Sequence, residues 1–126
     1  MLIALLLPVL LLAREDFAED SQFDLLILSS LYGACLMVTS DSFLTLFLGL
    51  EVMSLPVYAL VLLAYARGES AEASLKYLIL GGAASAAFLM GASLLYGSTG
   101  SLAISAFAKA LSSSDPLAQG AVTLIV

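Results

Sequence analysis

The chain has 126 residues, 62% hydrophobic and 11% charged, with a formal net charge of −6. A mean hydropathy of +1.11 lies far outside ordinary soluble composition and reads as an all-α, multi-pass transmembrane helical bundle. Four Lys and Arg residues leave no footprint for nucleic acid, and the absence of His removes an imidazole relay or a His-based metal site within this sequence. The single cysteine, Cys35, sits in an apolar run, cannot form an internal disulfide, and reads as a buried inert thiol.

Met1–Ala13 is apolar but short for a membrane span, and it lacks the basic head of a signal peptide. The last residues, AVTLIV, stop in mid-run. Both ends therefore read as cut, giving partial spans over 1–13 and 117–126. Between them, an acidic polar loop over 14–23 precedes a helix over 24–38 that Asp24 is placed to cap. Thr39–Ser42 is a tight polar turn in which Asp41 or Ser42 can accept from the free amides of the next helix, so the flanking helices form an antiparallel hairpin.

The next span covers 43–65. Arg67 suits the negative end of its dipole and Gly68 can take a left-handed cap. Ser70 then caps a span over 71–96 with Glu72 in its first turn. The middle of that span, from Gly81 to Ala87, is nearly all small. Gly81/Ser85, Gly82/Ala86 and Ala87/Gly91 are small-xxx-small pairs that permit close backbone approach in lipid, and they read as packing positions. Gly97 and Gly100 close the helix. Over 101–111, Ser101, Ser105 and Lys109 recur every fourth residue on an apolar helix too short to span, which predicts an interfacial helix. Asp115 and Pro116 read as N-cap and first residue of the last segment. Arg14 and Arg67 fall on one side of the membrane and Lys109 on the other, so the positive-inside rule puts loops 14–23 and 66–70 in the cytoplasm.

One ionisable residue, Glu51, interrupts the apolar run from Phe43 to Ala64. That run is about 22 residues long, enough to cross a hydrocarbon core of roughly 30 Å, and Glu51 lies ~12 Å inside it by helical rise. A carboxylate at that depth costs at least ~2.5–3.5 kcal/mol, so it faces protein or trapped water and marks a pathway for ions or protons. Pro56 has no amide hydrogen and clashes with the Val52 carbonyl, which predicts a bend beside the acid. Ser54 and Tyr58 follow Glu51 on its own face, where their hydroxyls either hold water or bond the helix backbone. Lys76 is the second charge that can carry function. Its depth differs from that of Glu51 by roughly 14 Å, so a direct salt bridge needs a bridging group, and snorkelling to the interface is the alternative. Burial disfavours the charged form of a carboxyl and a neighbouring cation favours it. A buried acid whose cationic partner approaches and withdraws can therefore take up and release a proton, the minimum machinery of a relay.

LFLGLEVMSLPVYAL (Leu46–Leu60) followed by GESAEASLKYLILGGAASAAFLMGASLLYGSTGSL (Gly68–Leu102) resembles the N-subunit family of proton-translocating NADH-quinone oxidoreductase, called NADH dehydrogenase subunit 2 in mitochondria. The likeness runs from about Asp24 to the end. Mrp sodium/proton antiporters share the acid but follow it with different residues where Ser54-Leu55-Pro56 stands here. The resemblance implies an antiporter-like bundle in the membrane arm of respiratory complex I, in the bacterial inner membrane, with other membrane-arm subunits as partners. Glu51 matches the family's buried glutamate and Lys76 a lysine in the following helix, both as proton-transfer residues. A further lysine, on the helix beginning where this sequence ends, faces the glutamate in that family. A complete subunit also repeats the bundle in inverted form, and no second copy is present in this sequence.

The resemblance implies a subunit of an enzyme complex, with these 126 residues not catalytic alone. NADH, flavin, iron–sulfur clusters and quinone are expected in partner subunits, since no binding motif for any of them stands in this sequence. Alternatives are a small homodimeric proton-coupled transporter using Glu51 alone, an Mrp-type sodium/proton antiporter subunit, and a purely structural packing subunit.

Overall fold

The computed structural model describes residues 21–64, 68–112 and 114–126. The expected partial span over 1–13, loop residues 14–20 and Arg67 lie outside the described residues. Among the described residues the elements are five helices: α1 (Ser21–Val38), α2 (Phe43–Ala64), α3 (Gly68–Thr99), α4 (Ile104–Leu111) and α5 (Pro116–Ile125). Among the described residues, α2 over Phe43–Leu63 and α3 over Ala71–Thr99 are long and apolar enough to cross a membrane, while the apolar run of α1 is shorter.

Several helix ends differ from those read in the sequence, for local reasons. Helix α1 starts at Ser21, which places Asp24 in its first turn, where a carboxylate suits the positive end of the helix dipole. Helix α3 starts at Gly68, ahead of the expected Ser70 cap, and continues to Thr99, after which Gly100 adopts φ +68° and closes the helix. Helix α4 begins only at Ile104 because the residues before it are committed elsewhere. The Phe43 amide donates to the Leu102 carbonyl at 2.8 Å and the Ile104 amide to the Asp41 carbonyl at 3.0 Å, forming an isolated antiparallel bridge between Ser42 and Ala103. This bridge satisfies an otherwise orphaned amide opening α2 and ties the α1–α2 turn to the α3–α4 connection. Asp115 caps α5, its Oδ1 accepting from the Leu117 amide at 3.1 Å, and Pro116 is the first helical residue.

Helices α1, α2 and α3 pack as successive antiparallel neighbours, and α5 packs against the second half of α3. The α1–α2 crossing is the tightest. A methyl group on Gly33 would fall 2.7 Å from the Gly49 carbonyl oxygen and closer still to the Met53 amide; one on Gly49 would fall 3.0 Å from the Gly33 carbonyl oxygen. The two glycines therefore face each other through bare backbone, which side chains larger than hydrogen exclude. Ser30 adds a hydrogen bond to the Met53 carbonyl at 3.1 Å. Pro56 is buried and α2 runs as one helix through it. The Val52 peptide, whose carbonyl Pro56 deprives of its usual donor, lies against Gly33.

The buried core sits at the end of the bundle that carries α4, where Phe43, Ala92, Leu95, Ala110, Ala118 and Ala121 meet. Phe43 sets its ring against Phe88 and Phe107, with centroids 6.0 and 5.7 Å apart. Gly91 lets α5 approach: a methyl there would fall 3.1 Å from the Ala121 carbonyl oxygen. Of the small residues on α3, Gly91 thus meets α5 and Gly81 meets α2, whereas Gly82 faces open space. Outside the core, large apolar side chains such as Leu80 (72% exposed) and Val38 (74%) point outward, as lipid-facing or subunit-facing positions do.

Because backbone atoms cannot yield, Gly33→Val should lower the thermal stability of the protein in detergent by about 1–3 kcal/mol or more. Gly82→Ala, inside a helix and facing open space, should not lower it and should raise it by up to about 1 kcal/mol. Equal melting behaviour of the two variants would show that the α1–α2 crossing is looser than described.

Candidate functional site

Helix α2 presents Phe47, Glu51 and Tyr58 to α3, which answers with Phe88, Ser85, and Tyr77 with Gly81. The pairing is that of two antiparallel helices in fixed register. At one end Phe47 stacks on Phe88, centroids 6.4 Å apart and planes 15° from parallel. At the other, the Tyr58 and Tyr77 rings lie 5.8 Å apart, and Ser74 Oγ donates to the Tyr58 carbonyl at 2.9 Å. Between these anchors Ser85 Oγ donates to Glu51 Oε1.

That hydrogen bond defines the site. Glu51 and Ser85 are both half-buried, and the carboxylate has a donor on the neighbouring helix, as a carboxyl midway along an apolar span requires. Ser54 takes the backbone alternative, donating to the Leu50 carbonyl at 2.7 Å. Tyr58 does otherwise: its hydroxyl is pressed against Gly81, where any β-carbon would collide with it.

In the sequence Ser85 stands out only as half of a small-residue pair. The signal that singles it out is register. Glu51 and Ser85 are separated by 34 positions, and Gly68, where α3 starts, lies midway between them. A helical hairpin turning there sets the two side chains level.

Lys76 lies elsewhere. Its Nζ is 2.6 Å from Glu72 Oε1, one turn back on the same helix, and both side chains are exposed, at 69% and 66%. Lys76 precedes Ser85 by nine residues, about two and a half turns, which puts it on the opposite face of α3 and roughly 14 Å along the axis. The two sequence-predicted site residues are therefore not brought together among the described residues.

An open-sided cavity of about 370 Å³ adjoins the site between α2, α3 and the last residues of α5. Phe47, Leu50, Gly81 and Leu124 contribute to an apolar wall, and Tyr58 and Ser85 bring the polar side chains. Among the described residues no group of three His, Cys, Asp or Glu side chains is placed to hold a metal ion.

Residues 40–126 match the family model described as NADH:quinone oxidoreductase/Mrp antiporter, transmembrane. Among similar proteins, the chain is 47% identical over 87 residues to the NADH-quinone oxidoreductase subunit N of Pelobacter propionicus, covering 69% of this chain and 19% of that protein. It is 42% identical over 108 residues to the subunit N of Coxiella burnetii, covering 86% and 22%. In structure it is similar to a chain of respiratory complex I from Thermus thermophilus with bound aureothin, with a TM-score of 0.74 and 40% identity, covering 84% of this chain and 23% of that one. The chain thus spans about a fifth of the length of the relatives it matches. Its fold is an all-α membrane bundle of antiporter type. It belongs to the NADH:quinone oxidoreductase/Mrp antiporter transmembrane family, in which it is similar to part of subunit N.

Proposed function

We propose that this chain is part of a proton-translocating membrane subunit of NADH-quinone oxidoreductase, in which Glu51 takes up and releases the transferred proton. The observation that carries this reading is a carboxyl in the middle of a membrane-length helix, half-buried against its neighbour and hydrogen-bonded there. An acid in such a place is costly to hold without a partner, and so marks a path for ions or protons. The likeness to N subunits, at 42–47% identity in the relatives described, favours this reading over an Mrp-type antiporter subunit, although the family model spans both.

The other membrane-arm subunits of the complex are its partners, and the bacterial inner membrane is its location, with the loop between α2 and α3 on the cytoplasmic side. NADH, flavin, iron–sulfur clusters and quinone belong to partner subunits. Lys76 serves as a second proton-carrying group. Its place on the far face of α3 gives it a path toward whatever covers that face, not a direct exchange with Glu51.

In the assembled complex containing the full-length subunit, Glu51→Gln should reduce NADH-driven proton pumping by about tenfold or more with complex abundance unchanged. Normal pumping in a fully substituted, assembled enzyme would remove Glu51 from the mechanism. Lys76→Ala should give a milder loss, about two- to fivefold, in the same vesicle assay. A loss equal to that of Glu51→Gln would place Lys76 on the main path.

A further inference from the structure

The geometry points to Ser85 as the proton-relay residue of Glu51, its hydroxyl connecting the carboxyl to the cavity that it shares with Tyr58. This inference rests on the proton-exchange reading of Glu51 and adds the route by which the proton leaves. Ser85 lines the cavity and is also the group that bonds Glu51. The cavity holds about 370 Å³, room for several waters at about 30 Å³ each. The hydroxyls of Ser85 and Tyr58 supply the polar partners that water needs in a site otherwise walled by apolar side chains. Gly81, one turn from Ser85, keeps the Tyr58 hydroxyl at the cavity edge by presenting no side chain.

A serine hydroxyl has one proton to give and two lone pairs to accept. In the release step the protonated Glu51 carboxyl passes its proton to a lone pair on Ser85 Oγ, while the O–H bond already on Ser85 breaks toward a cavity water. The products are a Glu51 carboxylate, a neutral Ser85 hydroxyl and a protonated water; uptake is the reverse. No oxidant or further reactant enters. Alanine at position 85 removes the link while leaving the helix intact, and threonine keeps it.

The test uses the assembled oxidoreductase with the full-length subunit in proteoliposomes, measuring NADH-driven proton uptake for Ser85→Ala, Ser85→Thr, Glu51→Gln and the double variant Glu51→Gln/Ser85→Ala. Loss of the hydroxyl should lower pumping by about tenfold, Ser85→Thr should restore most of it, and Ser85→Ala should add nothing to Glu51→Gln. Ala84→Leu, which puts bulk into the cavity without touching the Glu51–Ser85 bond, should also lower pumping several-fold. Wild-type pumping by Ser85→Ala beside a defective Glu51→Gln overturns the relay and leaves the role of Glu51 standing. Equal defects in Ser85→Ala and Ser85→Thr overturn it too, because packing and not the hydroxyl would then matter. Should Ser85→Ala fail to assemble, full pumping by Ala84→Leu overturns the exit through the cavity. Normal pumping by Glu51→Gln overturns both readings.

Discussion

A carboxyl group midway along a 22-residue apolar helix must be given a polar partner by whatever packs against that helix, and here the partner is a hydroxyl on the next transmembrane segment. The hydrogen bond between Ser85 and Glu51 works only if α2 and α3 keep one register, since a shift of a single residue rotates a helical side chain by about 100°. Two aromatic contacts hold that register, Phe47 on Phe88 and Tyr58 on Tyr77, one on each side of the acid. The pairing of acid and hydroxyl thus depends on an apolar frame whose own energetics are non-directional and whose side-chain shapes supply the alignment.

Depth is fixed by other means. The backbone bridge between Ser42 and Ala103 pins the start of α2 to the segment leaving α3, so the acid's distance from that end is set by covalent geometry and not by the softer contacts within the span. On the opposite side of α2, Gly33 and Gly49 bring α1 to backbone contact, close to the peptide that Pro56 leaves short of a donor. The proline consequently sits in a helix braced on two faces, which is compatible with the continuous α2 observed. Helix α5 enters through Gly91 and closes one wall of the cavity beside Ser85.

Much of this architecture is legible in the amino-acid sequence, because long apolar runs, polar turns and an isolated acid are properties of single segments. Glu51, the turn over 39–42 and the Asp115–Pro116 helix start belong to that class. Pairings between segments are harder to read. The stripe of small residues on α3 gives no sign of which glycine meets α2, which meets α5 and which faces open space, and within it a serine resembles any other small residue. Lys76 illustrates the same limit: its depth follows from counting, but its face follows from helical phase relative to Ser85, and that partner is visible only once α2 and α3 are set side by side. The start of α4 is displaced from its periodic pattern for a similar reason, since the bridge to the α1–α2 turn claims the residues before Ile104.

If Glu51 carries the transferred proton, its carboxyl changes protonation state as the enzyme works. Isotope-edited infrared difference spectroscopy of the assembled complex, with labelled glutamate and recorded at rest and during NADH turnover, reads that change. A carboxylic C=O band should rise or fall on turnover and be missing from the Glu51→Gln enzyme. A Glu51 carboxyl that keeps one protonation state throughout turnover, in an enzyme that pumps, would contradict it.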